Sequence, residues 1–168
     1  MQICRIHGEV LSLEQRQMLM AIGTSAHHDD GGHHVNNEKP HLLDGIANTI
    51  YTRLFKYLTL VAAPVAVDPR MRVYKLFAGS GAVFPHRDVD YAGPDRTCAT
   101  HSILVYLNEE YTGGETLFTL LGRVIRIPHP RAGDGLLFQH SVLHEGLPVL
   151  DGVKYVLKTD LFCSEKAG

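Results

Sequence analysis

From Met71 onward the sequence consists of short runs rich in Val, Ile, Tyr, Phe and Leu, separated by clusters of Gly, Pro, Asp and Asn. Each run has the length of one strand and each cluster supplies turn residues, so this pattern predicts a sandwich or barrel. About eight runs can be delimited: Arg72–Phe77, Ala82–Asp88, His101–Asn108, Glu115–Thr119, Val124–Ile127, Gly135–Gln139, Ser141–Glu145 and Val153–Phe162. Eight strands fit a double-stranded β-helix, or jelly roll, with a cavity between its two facing sheets.

Two helices are predicted before the strands. The first covers Ser12 to Ile22, where Ser12 followed by Gln15 matches a capping box. The second covers His41 to Leu60, in which apolar residues recur every three or four positions. Ala26 to Pro40 is polar and rich in turn residues, so it is expected to be a loop. The expected fold class is therefore mostly β (α+β), with N-terminal supporting helices.

Length and composition limit the possible classes of protein. The 168 residues predict a single domain (1–168), with a helical lead-in over about 1–65 and a jelly-roll core over about 70–163. The net charge of -2 provides no positive field to attract nucleic acid or an anionic membrane. No export signal or membrane span is expected, and three widely spaced cysteines predict neither a disulfide framework nor a cysteine zinc site. The cytoplasm is the expected compartment.

The run Phe84-Pro85-His86-Arg87-Asp88 contains the sharpest chemical signal. His86 and Asp88 are two residues apart, so in a strand their side chains point to the same side of the sheet and can share a metal ion. His144 lies in a late run that a jelly roll can bring beside the His86 strand. Two imidazoles and one carboxylate on one face of an octahedral ion leave open positions, as in non-haem iron(II) oxygenases.

His140 competes with His144 for the third ligand position, since it is four residues away. His144 is favoured because it precedes Glu145-Gly146 and lies ten residues before Lys154. The ammonium of Lys154 is suited to holding the distal carboxylate of a dicarboxylate. The sequence thus places a metal-binding set and an anion-binding group on neighbouring strands.

The sequence resembles the iron(II)/2-oxoglutarate dioxygenases of the prolyl 4-hydroxylase type. The resemblance covers about Arg72 to Phe162. It rests on a series of motifs in a fixed order: His86-x-Asp88, Gly113-Gly114-Glu115-Thr116-x-Phe118, Gly133-Asp134, His144-Glu145-Gly146 and Gly152-x-Lys154.

By this resemblance, His86, Asp88 and His144 bind iron(II), and Lys154 pairs with 2-oxoglutarate. O₂ is the other cosubstrate, and ascorbate is a further cofactor candidate. Ser102 corresponds to a small hydroxyl residue lining the same pocket. Many members carry a tyrosine where this chain has Phe77, and Tyr74 is the nearest replacement. If positions alternate along the strand, only one of these two side chains faces the cavity.

The expected activity is hydroxylation of an unidentified substrate, a prolyl or other amino-acid side chain or a small molecule, with release of succinate and CO₂. Related halogenases carry a small residue in place of the carboxylate, so Asp88 favours hydroxylation. Two alternatives stay open: a non-catalytic cupin-like module that binds metal or carboxylate, and a zinc-dependent hydrolase with the same ligands. The histidines and aspartates of residues 27–34 are expected to form a solvated loop or the edge of a lid.

Overall fold

A computed structural model of the protein describes residues 3–24, 33–34, 40–58, 61 and 63–164. In these residues the chain forms two helices, α1 (Leu13–Thr24) and α2 (Pro40–Leu58), and thirteen strands. The strands are β1 (Ile3–Ile6), β2 (His33–His34), β3 (Pro64–Val67), β4 (Arg72–Phe77), β5 (Val83–His86), β6 (Tyr91–Ala92), β7 (Thr97–Tyr106), β8 (Tyr111–Gly113), β9 (Thr116–Leu120), β10 (Arg123–Arg126), β11 (Gly135–Gln139), β12 (Leu143–Gly146) and β13 (Val149–Ser164).

The strands form two antiparallel sheets. The larger sheet has the order β1-β11-β7-β13-β4-β2, with β3 and β8 paired to β13 and β6 paired to β7. The smaller sheet has the order β10-β9-β12-β5. The sheets face one another, since Phe118 of β9 meets Phe138 of β11 with ring centroids 5.0 Å apart. The predicted mostly β jelly roll with N-terminal helices is confirmed.

The helices cover the outer face of the larger sheet. Buried side chains of both helices, such as Leu19 and Ile50, share one apolar cluster with Ile103, Val105 and Leu157 of the sheet. Burial of this apolar surface is the main source of stability for the lead-in. Neither α1 nor α2 is long and apolar enough to cross a membrane.

The side chains of strand β13 alternate between the apolar core on one side of the sheet and the cavity on the other. Leu157 and Leu161 are fully buried on the side that faces the helices. Lys154, Val156 and Lys158 line the cavity on the other side. The same strand therefore contributes to the core with one face and to the candidate site with the other.

The beginning of α1 has the predicted capping box. The backbone N–H of Gln15 donates to Ser12 Oγ (3.3 Å), and the backbone N–H of Ser12 donates to Gln15 Oε1 (3.0 Å). These two bonds satisfy donors that the first turn of a helix leaves without intrahelical partners. Ser12 thus fixes the residue at which the helix begins.

The structure differs from the sequence prediction mainly in short strands. β1, β3, β6 and β8 have two to four residues each, too few to show alternation in the sequence. β13 is longer than the predicted Val153–Phe162 because Gly152, at φ 77°, lets the chain pair with β8 before it pairs with β4. A Cβ at residue 152 would lie 2.6 Å from the Glu110 carbonyl oxygen.

The predicted loop Ala26–Pro40 lies largely outside the described residues. Within it, His33–His34 pair with β4 as a short strand rather than a loop, and Pro40 already belongs to α2. Proline is favoured at the first helical position because its missing N–H would have no partner there. The proposed lid and the single-domain assignment stay predictions.

Replacing Ser12 with alanine is expected to lower the free energy of unfolding by about 1 kcal/mol, because the capping bonds of α1 are lost. Urea unfolding of the wild type and S12A measures this difference. Gln17→Ala, at an exposed position of the same helix, serves as the control and should change stability by less than about 0.5 kcal/mol. Equal stability of S12A and Q17A would contradict the assigned role of the cap.

Candidate metal centre

Pairing of β5 with β12 brings the three predicted ligands together. His86 and His144 are direct partners in this pairing, and their ring centroids lie 4.2 Å apart. Asp88 follows two residues after His86, and its two carboxylate oxygens lie 3.7 Å from His86 Nε2 and His144 Nε2, respectively. One donor atom from each residue lies within 4.8 Å of the others. Among the described residues this is the only such group of three.

Backbone carbonyls fix the orientation of both imidazoles. His86 Nδ1 lies 2.8 Å from the Phe84 carbonyl oxygen, and His144 Nδ1 lies 3.0 Å from that of Val142. Carbonyl oxygens only accept, so each Nδ1 carries the hydrogen and each Nε2 keeps its lone pair. Burial also lowers the pKa of His144, although the Val142 carbonyl and Asp88 oppose it. Both rings thus present a free Nε2 to the space between the ligands, as metal-bound histidines do.

Two donors hold the carboxylate of Asp88. Lys158 Nζ lies 2.5 Å from Oδ1, and the Ser102 hydroxyl donates to Oδ2 at 2.5 Å. Burial alone raises the pKa of Asp88, but the charge and hydrogen bond of Lys158 and the bond from Ser102 outweigh it and keep the pKa below its usual value. Asp88 is therefore ionised at neutral pH, in the form that binds a cation.

A buried polar network lies behind Ser102. Asp160 Oδ1 lies 3.2 Å from Ser102 Oγ and 3.2 Å from His140 Nε2, and Tyr91 donates to Asp160 Oδ2 at 2.9 Å. His140 Nδ1 lies 3.0 Å from Asp90 Oδ1. Because both of its nitrogens face carboxylates, His140 is satisfied only as an imidazolium with two N–H donors.

The pKa of His140 follows from this environment. Burial alone lowers it, but the hydrogen bond and charge of Asp160, together with the charges of Asp88 and Asp90, raise it above the usual value. The same ion pair with His140 keeps the pKa of Asp160 low, against the effect of burial. His140 thus acts as the counter-ion of Asp160 and is turned away from the candidate ligand set.

A cavity between the two sheets joins the ligand set to Lys154. His86 and His144 line it together with Lys154 and Lys158, and apolar side chains such as Leu104 complete the wall. The cavity is therefore mostly apolar, with charged groups at defined positions, as expected of a small-molecule site.

Lys154 is a buried cation that lacks a counter-ion. Its side chain is almost fully buried, and its Nζ donates to the Gly114 carbonyl oxygen at 2.7 Å. In the described parts of the chain no carboxylate lies within 4.0 Å of this ammonium, and burial lowers its pKa to about 8, with Glu115 partly opposing the shift. Burial of such a charge without an ionic partner lowers the stability of the fold, because the charge loses its hydration.

Two further observations indicate that the partner of Lys154 is a ligand. The ammonium lies 5.9 Å from the ring centroid of Tyr111, whose buried hydroxyl has no hydrogen-bond partner. Gly114 has φ 67°, which favours glycine, and a Cβ there would lie 3.2 Å from Lys154 Cδ, so a side chain at this position would crowd the lysine. An anionic ligand at Lys154 would satisfy the ammonium, and the residues present fit a dicarboxylate that spans from the ligand set to Lys154.

The remaining predicted site residues have different surroundings. Tyr74 lines the cavity, whereas Phe77 is not among the lining residues and is 46% exposed, as alternation along β4 requires. Ser102 contacts Asp88 and Asp160 and is not among the cavity-lining residues. Sequence reasoning missed Lys158 and Asp160, although both share the face of β13 that carries Lys154.

The ion pair between His140 and Asp160 has a measurable pH dependence. Because the folded pKa of His140 is raised, its stabilisation is complete below the unfolded pKa of about 6.5 and is lost as the pH rises through the folded value. We expect His140→Gln to lower the free energy of unfolding by about 2 kcal/mol at pH 6 and by less at pH 9. Urea unfolding at both pH values measures the difference.

His7 provides the matched control for this substitution, since its side chain is 70% exposed. His7→Gln should change stability by less than about 0.5 kcal/mol at either pH. A loss in H140Q that is the same at pH 6 and pH 9 would show that His140 is not charged in the folded protein.

Solved structures of similar fold include oxygenases and prolyl hydroxylases. A viral collagen prolyl hydroxylase from Paramecium Bursaria Chlorella virus-1 is 19% identical, with a TM-score of 0.67 over 98% of this chain and 97% of that chain. A 2OG-Fe(II) oxygenase family protein from Burkholderia pseudomallei is 13% identical, with a TM-score of 0.74 over 95% and 84%. A prolyl hydroxylase from Trichoplax adhaerens, in complex with a hypoxia inducible factor peptide fragment, is 15% identical, with a TM-score of 0.66 over 96% and 84%.

At these identities the structural likeness shows the fold. No curated protein matches the sequence. The sequence profile of the 2OG-Fe(II) oxygenase superfamily matches residues 70–159, which is more than half of the chain and includes all three candidate ligands and Lys154. The chain therefore belongs to the 2OG-Fe(II) oxygenase superfamily, whose enzymes use iron(II), 2-oxoglutarate and O₂.

Proposed function

We propose that this oxygenase is a hydroxylase in which His86, Asp88 and His144 bind iron(II) and Lys154 binds the distal carboxylate of 2-oxoglutarate. One observation carries the proposal: a cluster of two imidazoles and a carboxylate shares a cavity with a buried ammonium that lacks a counter-ion. A metal ion alone would leave Lys154 without a partner, and a carboxylate alone would leave the three ligands unexplained.

When bound, iron(II) and 2-oxoglutarate supply the oxidative decarboxylation that yields succinate and CO₂ and transfers one oxygen atom to the substrate. The side chains of the protein provide position and charge. Lys154 fixes the far end of the cosubstrate, Leu104 and Val156 exclude water from its methylene groups, and Ser102 keeps the carboxylate of Asp88 in place. Tyr74 lines the same cavity and is proposed to contact the cosubstrate.

We propose a peptidyl or small-molecule substrate. The Trichoplax prolyl hydroxylase binds a peptide fragment, which supports an amino-acid side chain as one class, while the same core could also serve a small molecule. Ascorbate is proposed as a reductant that keeps the iron in its iron(II) state. The cytoplasmic location expected from the cysteine content stays a prediction.

The proposal differs from its alternatives in a way that can be measured. A cupin-like binding module would bind metal without consuming O₂, and a zinc hydrolase with the same ligands would not need 2-oxoglutarate. Lys154 disfavours the hydrolase, in which a buried ammonium at the far end of the cavity has no function. Release of succinate on admission of O₂ separates the oxygenase from a module that only binds metal and carboxylate.

Anaerobic addition of iron(II) and 2-oxoglutarate is expected to produce the weak visible charge-transfer band of a chelated 2-oxo acid. Admission of O₂ should then release succinate, even slowly and without a substrate. His144→Ala removes one of the three ligands and should abolish both signals, whereas the exposed control His7→Ala should retain them. Absorption spectroscopy and succinate detection provide the two readings. Wild-type protein that is folded and iron-loaded but gives neither signal would support a non-oxidising module or a hydrolase.

The pKa of Lys154, about 8, predicts how the affinity for 2-oxoglutarate depends on pH. Because only the ammonium form pairs with a carboxylate, affinity should fall roughly tenfold between pH 7 and pH 9. Lys154→Arg, whose guanidinium does not titrate in this range, should show a much smaller decrease. Calorimetric titration of the Mn(II)-loaded protein measures these affinities. Parallel pH curves for the wild type and K154R would contradict the assignment.

A further inference from the structure

The cavity contains a second lysine that the three ligands and the distal anchor do not explain. Lys158 lies four residues after Lys154 on the same face of β13, and both side chains line the cavity that His86 and His144 also line. One dicarboxylate has one distal carboxylate, and Lys154 is sufficient to bind it. The position of Lys158 therefore needs a separate account.

In the structure Lys158 is paired with a candidate metal ligand. Its Nζ lies 2.5 Å from Asp88 Oδ1, and its side chain is 17% exposed. Asp160 also lies near this ammonium, since the charge of Lys158 contributes to the low pKa of Asp160. Lys158 thus neutralises the carboxylate that would otherwise face the two imidazoles alone.

A bound divalent ion would change this charge balance. Asp88 would then share its negative charge with a doubly positive ion, and the Lys158 ammonium would lie beside a cation of higher charge. An additional negative group close to the metal would therefore stabilise the ammonium electrostatically. Neighbouring positions around an octahedral ion lie about 3 Å apart for metal–oxygen bonds of about 2.1 Å. An ammonium with three N–H donors that touches one ligand oxygen can therefore also reach the oxygen in the next position.

We propose that Lys158 is a second carboxylate-binding residue of the cavity, which pairs with Asp88 and also binds the metal-proximal carboxylate of 2-oxoglutarate. This inference rests on the proposed function, since it requires a 2-oxo acid at the metal. It assigns one ammonium to each end of the cosubstrate: Lys154 to the distal carboxylate and Lys158 to the proximal one.

The charges of the filled cavity support this division. The divalent ion and the two carboxylates of 2-oxoglutarate cancel in total charge, and Asp88 together with the cavity-lining Glu145 balances the two lysines. No carboxylate of the described residues lies within 4.0 Å of the Lys154 ammonium, so the distal carboxylate of 2-oxoglutarate is the direct counter-ion that we assign to it. Lys158 then lies between Asp88 and the proximal carboxylate, where both of its partners are negative.

The test uses two probes that differ in length. Oxalate chelates a metal ion through carboxylates but is too short to reach Lys154 at the same time, whereas 2-oxoglutarate reaches both ends. Calorimetric titration first measures the affinity of the metal-free protein for Mn(II), and then the affinity of the Mn(II)-loaded protein for each probe. The variants are Lys158→Met, which removes the charge at similar length, Lys158→Arg, which keeps it, and Lys154→Met as the matched control.

We expect K158M to bind Mn(II) at least as well as the wild type and to lose about tenfold or more in affinity for both oxalate and 2-oxoglutarate. K154M should lose affinity for 2-oxoglutarate only. K158R should retain most of the affinity for both probes because it keeps the positive charge. The loss in K158M would not follow from a purely structural role of the lysine aliphatic chain, which methionine largely preserves. Thermal unfolding of the metal-free variants shows whether each one is folded.

Three outcomes would overturn the inference. Unchanged affinity of K158M for both probes would limit Lys158 to Asp88 or to an anionic group on the substrate. A loss of Mn(II) affinity in K158M would make Lys158 a group that positions Asp88. If K158M does not fold, K158R provides the test instead. A loss of oxalate affinity of tenfold or more in K158R would contradict a role that depends on the positive charge of residue 158. Failure of the wild type to bind Mn(II) or 2-oxoglutarate would instead contradict the proposed function itself.

Discussion

The pairing of β13 with its neighbours on both sides is the constraint on which the rest of the structure depends. The strand pairs with β7 on one edge and β4 on the other, so its alternation is fixed over most of its length. A shift of one residue would turn Lys154 and Lys158 into the helix-packed core and expose Leu157 to the cavity. Burial of Leu157 and Leu161 beneath the helices therefore also determines which way the two lysines point.

Charged groups in the centre of this small fold are tolerated because nearly every one has a partner. Asp88, Lys158, Ser102, Asp160 and His140 form a continuous set of contacts in which each carboxylate has a cationic partner and Ser102 lies between the two carboxylates. Such a network is costly to desolvate and is kept when it provides a defined geometry. Lys154 is the exception among these buried groups, and that lack of a counter-ion marks the end of the cavity where a ligand is needed.

The main features of the fold could be predicted from the sequence because they depend on local patterns. The strand runs, the capping box at Ser12 and the helical spacing of α2 are all readable within windows of a few residues. Gly152 was read only as part of a motif, and its turn into β8 could not be predicted because it depends on the Glu110 backbone of another segment. The shortest strands were missed for the same reason, since they exist only through their partners.

For the candidate site, the sequence predicted residues but not their partners. His86, Asp88 and His144 could be selected by type and spacing, and the structure brings them together. The contact of Ser102 with Asp88 depends on the position of β7 relative to the ligand set. Spacing along the chain does not specify that position. Spacing makes His140 a competitor of His144, and its contact with Asp160 depends on β11 and β13 lying on either side of β7.

The location of Lys154 on one sheet and of two metal ligands on the other has a consequence for selectivity. Facing sheets pack about 10 Å apart, and that separation is set by side chains such as Phe118 and Phe138 rather than by the ligand. The ammonium of Lys154 is held by the Gly114 carbonyl oxygen at 2.7 Å. If Lys154 binds the distal carboxylate as we propose, the separation of the two sheets determines how many methylene groups a 2-oxo acid needs to span the cavity.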